Sequence, residues 1–350
     1  MLNWLKKKIA VKDTAPQAPS WAVSSPFAVA PRLFPSDLRR EMAADGMIQT
    51  ALTVKRLGVL AATGTVLGAD ERRVAFVNDA FSRMRGSIDT VLNQAMAAFA
   101  DGWSVQETTY AAGGGYLWID RVTAKDPSTI TPELDRFGHL TGLTLALPGD
   151  TPLPLLREKF VVYRYRGGYD APRGQSDLDA VVPHFSAKRS LQKSWSHHLE
   201  KFASPTLLGR FERTLAAREQ QELYDALRNL PENRVLVHPS DCAVETLDGD
   251  KGASTGFMEA IDFHNREIAR AILGQTLTTD EGRRVGSLAM GKVHLQVLLL
   301  QLATLRRELA DVVVTEQIIR PLMELNFGPG EIPRYEFAAT TLEAFTTGVV

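Results

Sequence analysis

The sequence predicts an α+β fold, and three observations predict it. A glycine-turn hairpin of aromatic and β-branched residues lies in the first half. Two long amphipathic helical stretches bracket a small β-α-β segment in the second. One helical pattern of about forty residues follows them near the end.

The elements follow in order. Residues 1–12 (MLNWLKKKIAVK) carry four lysines beside Trp4, Leu5 and Ile9, which reads either as a short basic amphipathic helix or as an arm that orders on assembly. Its apolar stretch, Ile9 to Val11, is too short for a secretory signal. Residues 13–36 are rich in Pro, Ala and Ser and read as a linker. From Ser36-Asp37, an N-cap candidate, apolar residues recur at helical spacing from Leu38 to Leu57. Helices are expected over Asp70–Met84 and Ser87–Phe99, with Gly86 between them. Trp103–Tyr110 and Tyr116–Val122 flank Gly113-Gly114-Gly115 as a hairpin, and further strands are expected at Leu140–Leu147 and Phe160–Arg166.

Beyond Gly167-Gly168, Ser176 and Asp179 form a capping-box-like start to a helix of about thirty residues, with Pro183 as the expected kink. A β-α-β reading follows: strand Thr206–Phe211, helix Ala216–Asn229, and strands Arg234–His238 and Ala243–Leu247. A second helix begins near Ser254 and ends at Gly274, placed as a C′ glycine. The polar segment from Gln275 to Arg284 is a loop. Gly286 to Leu325 then reads as one helix of roughly 60 Å, ended by Pro321 and Asn326–Gly330. Its broad apolar stripe, Leu288 through Ile319, demands partners on more than one side.

Composition excludes several function classes. The 350 residues are 44% hydrophobic, enough for a core, with 40 basic against 41 acidic residues and a net charge of −1. No global positive field exists to hold nucleic acid by counterion release. The single cysteine, Cys242, excludes an internal disulfide framework and a cysteine-rich zinc module. The most apolar run, Val293 to Leu305, is broken by Gln296 and Gln301 and falls short of a membrane span.

Chemical motifs are few. Gly252-Ala-Ser254-Thr-Gly256 matches G-x-S-x-G, but polar residues precede it where an elbow needs an apolar strand, and Asp262 and His264 follow on the helix it would open. Ser190-Leu-Gln-Lys193 has no partner motif and reads as a solvated helix face. His197 and His198 are adjacent, so their rings diverge by about 100° on a helix, with His184 roughly 20 Å away along it. No phosphate-cradling loop with a G-x-x-x-x-G-K-[ST] pattern is present. No catalytic residue, metal site or cofactor is expected.

The order helix, insert, helix, loop, long helix, together with local phrases, resembles bacteriophage portal proteins of the Mu-like family. The phrases are Phe99-Ala-Asp-Gly-Trp-Ser-Val-Gln-Glu107, Pro172-Arg-Gly-Gln-Ser-Asp-Leu178, Glu267-Ile-Ala-Arg-Ala-Ile-Leu-Gly-Gln-Thr-Leu-Thr278, Gly286-Ser-Leu-Ala-Met-Gly-Lys-Val-His294 and Leu325-Asn-Phe-Gly328. The resemblance implies a portal fold: an N-terminal arm (1–29), an α/β wing (30–175), a first stem helix (176–204) and an α/β clip (205–252). A second stem helix (253–274), a tunnel loop (275–285), and the long wing helix with a return strand (286–350) complete it. The crown found at the C-terminus of many portals is expected to be short or absent.

The same resemblance implies function. A homo-oligomeric ring of twelve subunits would sit at a unique capsid vertex of the virion, after assembly in the host cytoplasm. It would contact the major capsid protein, pass double-stranded DNA, and dock the terminase large subunit and then a head-tail adaptor, with no membrane. The DNA-facing residues implied are Gln275, Thr276, Thr278, Thr279, Arg283 and Arg284; the clip residues implied for docking are Arg210, Arg213, Glu245 and Asp248. The mixed charge of the first stem helix, Lys188, Arg189, Lys193 and Lys201 against Asp177, Asp179 and Glu200, suits a lumen that lets DNA slide. The alternatives from other classes are a serine hydrolase using Ser254 and a DNA-binding module without a ring.

Overall fold

A computed structural model of the chain describes residues 36–147, 151–168, 171–203, 206–211, 216–222, 224–225, 242–247, 253–275 and 288–338. The periodicity predicts one helical run from Leu38 to Leu57, and the structure breaks it. Helix α1 (Ser36–Ala43) stops before Asp45, whose carboxylate accepts from the N–H groups of Met47 and Ile48 at 3.0 and 3.2 Å to start α2 (Gly46–Leu60). An aspartate at that position satisfies two orphan donors and so restarts the helix. Strand β1 (Gly64–Leu67), which periodicity misses because it is only four residues long, leads to α3 (Glu71–Arg83) and α4 (Ile88–Ala95), capped by Asp70 and Ser87. A short turn of helix, α5 (Ala98–Asp101), completes the expected Ser87–Phe99 stretch.

The predicted hairpin forms as β2 (Trp103–Gly113) and β3 (Tyr116–Lys125), turning through Gly114 and Gly115 at φ 62° and 83°. Glycine takes this left-handed backbone without a Cβ penalty. A small antiparallel sheet of β4 (Ile130–Leu134), β5 (Leu140–Leu145) and β6 (Leu153–Leu155) follows. The expected strand at 140–147 is therefore shorter, and β4 and β6 are additions. Strand β7 (Phe160–Arg164) pairs with the other side of β2, giving the order β3-β2-β7.

This sheet divides two cores. Val161 and Tyr163 of β7 face the main core with α2, α4 and the long helix, whereas Phe160 and Val162 join Trp103, Val105, Ile130 and Leu143 in a satellite core. Alternate residues of one strand thus serve opposite faces, as the pleat requires.

Helix α6 (Leu178–Ala203) keeps Pro183 inside it. Strands β8 (Thr206–Phe211) and β9 (Cys242–Leu247) pair antiparallel, and α7 (Ala253–Leu273) runs back along α6. Within the expected helix Ala216–Asn229, residues 217–222 and 224–225 are helical. The strand at 234–238 lies outside the described residues, as do the N-terminal arm and the end of the chain beyond 338. Gly274 closes α7 at φ 68°, its N–H donating to the Arg270 carbonyl at 2.9 Å, as its C′ placement predicts.

The long helix runs from Leu288 to Phe327 and is not uniform. Segments α8 (Leu288–Glu308) and α9 (Arg320–Phe327) are α-helical, but the eleven residues Leu309–Ile319 between them are π-helical. The buried residues there are Leu309 and Ala310, then Val313 to Thr315, then Ile318 and Ile319, a recurrence of four to five residues. That spacing matches bonds from i to i+5 rather than i+4. Pro321 does not end the helix as expected. It stands in the first turn of α9, and the end comes at Gly328 with φ 71°. The return strand β10 (Arg334–Phe337) pairs antiparallel with β1.

Candidate functional site

The expected site consists of the channel and clip segments, and the structure adds the joint that holds their helices on the body of the fold. Thr276, Thr278, Thr279, Arg283 and Arg284 lie outside the described residues, as do Arg213 and Asp248. Gln275 directly follows Gly274 and is buried rather than exposed to a lumen. Arg210 stands on β8 opposite Ala243 and Glu245 on β9 opposite Leu208, so the two clip positions are brought together on one small hairpin.

The joint is described in full, and it is built from two of the phrases singled out by sequence. Residues 99–107 and 172–178 meet at the start of α6. The Phe99 carbonyl accepts from the Asp177 N–H at 2.9 Å, the Ala100 carbonyl from the Ser176 hydroxyl at 2.6 Å, and the Gly102 carbonyl from the Tyr165 N–H at 2.9 Å. A Cβ on Gly174, at φ 75°, would stand 2.2 Å from the Gly102 carbonyl oxygen. Only glycine fits where two backbones approach this closely. Ser176 and Asp179 form the expected reciprocal cap: Ser176 Oγ accepts from the Leu178 N–H at 3.0 Å, and Asp179 accepts from the Ser176 N–H at 3.3 Å.

A buried charge cluster locks this joint. Lys55 of α2 reaches Asp177 at 2.5 Å and the Tyr165 hydroxyl at 2.7 Å; Tyr165 donates to Asp177 at 3.1 Å, and Arg166 lies 3.3 Å from the same carboxylate. The ammonium also sits 4.6 Å over the Phe99 ring. Burial pushes the Lys55 ammonium down and the Asp177 carboxyl up, each opposed by the attraction of the other. A second buried pair, Lys188 with Asp45 at 2.6 Å, ties α6 to the start of α2. Asp177 and Lys188 are therefore not part of a mixed-charge sliding surface, as the sequence reading had them. They anchor the helix, and the sequence gives no sign of it because the partners lie more than a hundred residues away.

The long helix holds the central sheet by its two edges. Gln317 accepts from the Val162 N–H at 2.8 Å and donates to the Val162 carbonyl at 2.9 Å, on the free side of β7. Asn326 does the same for Leu117 of β3, at 2.8 and 2.9 Å. Each side-chain amide imitates a neighbouring strand's peptide, so the sheet edges are closed by a helix. Arg306 donates to the carbonyls of Gly58 and Val59, binding α8 to α2.

Outward from these joints, burial stops. In α6 the last buried residue among those described is Lys188, and in α7 the described residues before Ile268 are exposed or half-buried. Leu199, Met258 and Phe263 are exposed on these helices. On α8, Val293, Val297 and Leu300 form an uncovered stripe, with Leu300 70% exposed. Where α6 and α7 pass each other, His184 and His264 face across at 3.2 Å between their Nδ1 atoms. His197 and His198 do not join them. Ser254 lies in the first turn of α7 with Asp262 and His264 on the same helix, so the G-x-S-x-G match forms no nucleophile elbow. Among the described residues no group of three or more His, Cys, Asp or Glu is placed to hold a metal ion, and no helix is long and apolar enough to cross a membrane.

Comparison with known proteins places this architecture. The Mu-like prophage FluMu protein gp29 of Haemophilus influenzae is 28% identical over 277 residues, covering 75% of this chain and 51% of that protein. The portal protein of Escherichia phage Mu is 25% identical over 271 residues, covering 74% and 49%. The chain spans about half the length of these curated relatives. Among solved structures, a chain of a native gene transfer agent virion superposes with a TM-score of 0.64 at 12% identity, covering 91% of this chain and 88% of that one. An HK97 family phage portal protein from Corynebacterium diphtheriae gives a TM-score of 0.50 at 12% identity, covering 89% and 97%. These likenesses show the portal fold. The family model described as the portal protein of Mu bacteriophage matches residues 36–346, and the chain belongs to that family, one of structural proteins rather than enzymes.

Proposed function

We propose that the chain forms a homo-oligomeric ring of twelve subunits around a DNA channel at one capsid vertex of a virion. In this reading α6 and α7 are the stem, β8 and β9 belong to the clip, and residues 275–285 face the DNA. The observation that carries it is the division of burial along α6 and α7: α6 is anchored at one end by ion pairs and core packing and α7 by core packing, and the described residues of each are left unburied at the other end. Among the described residues nothing buries that surface, and a neighbouring copy in a closed ring would.

The terminase large subunit during packaging and a head-tail adaptor afterwards would dock at the clip, through Arg210, Arg213, Glu245 and Asp248. The major capsid protein would surround the wing, with assembly in the host cytoplasm. Within the channel, Thr276, Thr278, Thr279, Arg283 and Arg284 would meet double-stranded DNA. Buried Gln275 would instead act as the fixed base of the loop. The near-zero net charge supports a conduit that passes DNA without gripping it. The test is the mass and negative-stain image of the purified chain with and without residues 276–285. Rings with a central channel in both samples are expected, because the loop would face the lumen and not a neighbour. A stable monomer in both would overturn the proposal.

A further inference from the structure

The histidine pair between α6 and α7 is unlike the other polar contacts of the fold. His184 and His264 approach through like atoms, Nδ1 to Nδ1 at 3.2 Å, with ring centroids 5.5 Å apart and planes inclined by 50°. Both residues are half-buried, on separate helices, and 80 residues apart in sequence. A metal-free pair at this distance shares one proton: one Nδ1 donates and the other accepts. The same separation is what two imidazole ligands adopt on one metal ion. With metal–nitrogen bonds of about 2.0–2.1 Å, a 3.2 Å gap between donors subtends about 103° at the ion, close to tetrahedral.

We propose that His184 and His264 form a two-histidine clip for a borderline divalent transition-metal ion of the Zn2+, Ni2+ or Cu2+ class. The ion binds both Nδ1 atoms, water completes its coordination, and the bound ion staples α6 to α7. The ring that donates in the metal-free pair moves its Nδ1 proton through solvent to its own Nε2, so both rings bind the ion as neutral Nε2–H imidazoles and no net proton is released. Imidazole nitrogen suits this class of ion, whereas Mg2+ and Ca2+ prefer oxygen.

One carboxylate lies near this point: on α7, Glu267 stands one turn from His264, although Arg270 shares it. On α6, the nearest cation, Lys188, is one turn from His184 but is held by Asp45 at 2.6 Å. The Phe263 ring lies against His184 with centroids 6.3 Å apart and helps fix its plane. The clip needs only the two helices and stands whether or not the chain forms a ring.

The test uses the full chain, stripped of metal, titrated with ZnCl2 by calorimetry and with CuSO4 by electron paramagnetic resonance. One high-affinity ion per chain is expected, with a copper spectrum showing hyperfine coupling to two imidazole nitrogens. His184→Asn and His264→Asn should each weaken zinc binding at least about tenfold, while His197→Asn/His198→Asn leaves it unchanged. His264→Cys should keep the site and add thiolate-to-metal charge transfer with cobalt(II), which distinguishes loss of a ligand from loss of the fold. Zinc affinity in wild type no greater than in both single variants, or a His264→Cys protein without the charge-transfer band, would overturn the proposal.

Discussion

Helix α6 belongs to two environments. Its first three turns bury one face: Leu178, Val181 and Phe185 enter the core, and Asp177 and Lys188 at either end of that stretch are in buried ion pairs. Beyond Lys188 no described residue of the helix is buried. Helix α7 repeats the division from the other direction, with Ile268, Ala269, Ile272 and Leu273 buried and the described turns before them not. Helix α6 is thus a core element at one end and, at the other, a strut that packs on α7 outside the core. A strut of this kind depends on a firmly held base and leaves surface for a partner outside the chain.

The comparison predicts that damage at the base is severe and damage on the shaft is mild for the fold of one chain. Lys55→Met leaves Asp177 buried without its closest partner and should cost about 3–5 kcal/mol by chemical denaturation. Combining it with Asp177→Leu should restore much of that loss, because no charge remains to be solvated. Next, Gly174→Ala forces a left-handed backbone on a residue with a Cβ and drives that atom into the Gly102 carbonyl. It should lower stability by more than about 2 kcal/mol, with a matching fall in melting temperature. Gln317→Leu, which keeps the shape but leaves the Val162 peptide without partners at the edge of β7, should cost about 1–3 kcal/mol.

The shaft gives smaller effects. His264 has its pKa lowered by burial and by His184, so the unfolded chain takes up a proton at higher pH than the folded one. Stability from this group is complete above the unfolded value of about 6.5 and declines as pH falls from there through the folded pKa. Metal-free His264→Asn should flatten the stability profile across that window, read as melting temperature against pH.

Parts of this architecture were legible because their signals are local. The glycine-turn hairpin, the Ser176–Asp179 cap and the Gly274 terminus are each settled within a few residues, and all three form as expected. The long helix was legible from its length, but its π-helical centre was not. Helical periodicity tolerates Leu309, Val313 and Ile318 as members of one stripe and does not register the extra residue per turn. Strands β1 and β10 are four residues each and are defined by each other across most of the chain. The site divides in the same way. The phrases 99–107 and 172–178 were noted only for their family resemblance and turn out to meet in the joint, and Lys55 carried no signal, since its role depends on Asp177 lying 122 residues away. Likewise nothing local to His184 points to His264.

The central claim is that the uncovered faces are meant for other copies of the chain. The most direct measurement is the solution mass of wild type beside Val297→Glu/Leu300→Glu, with each variant's unfolding followed in parallel. These exposed positions of α8 should change the stability of a single chain by no more than about 0.5 kcal/mol. The account predicts a closed oligomer many times the 38.5 kDa chain mass for wild type, and a folded monomer or small oligomer for the variant. Wild type that stays at 38.5 kDa at high concentration, or a variant that assembles as wild type does, would contradict it.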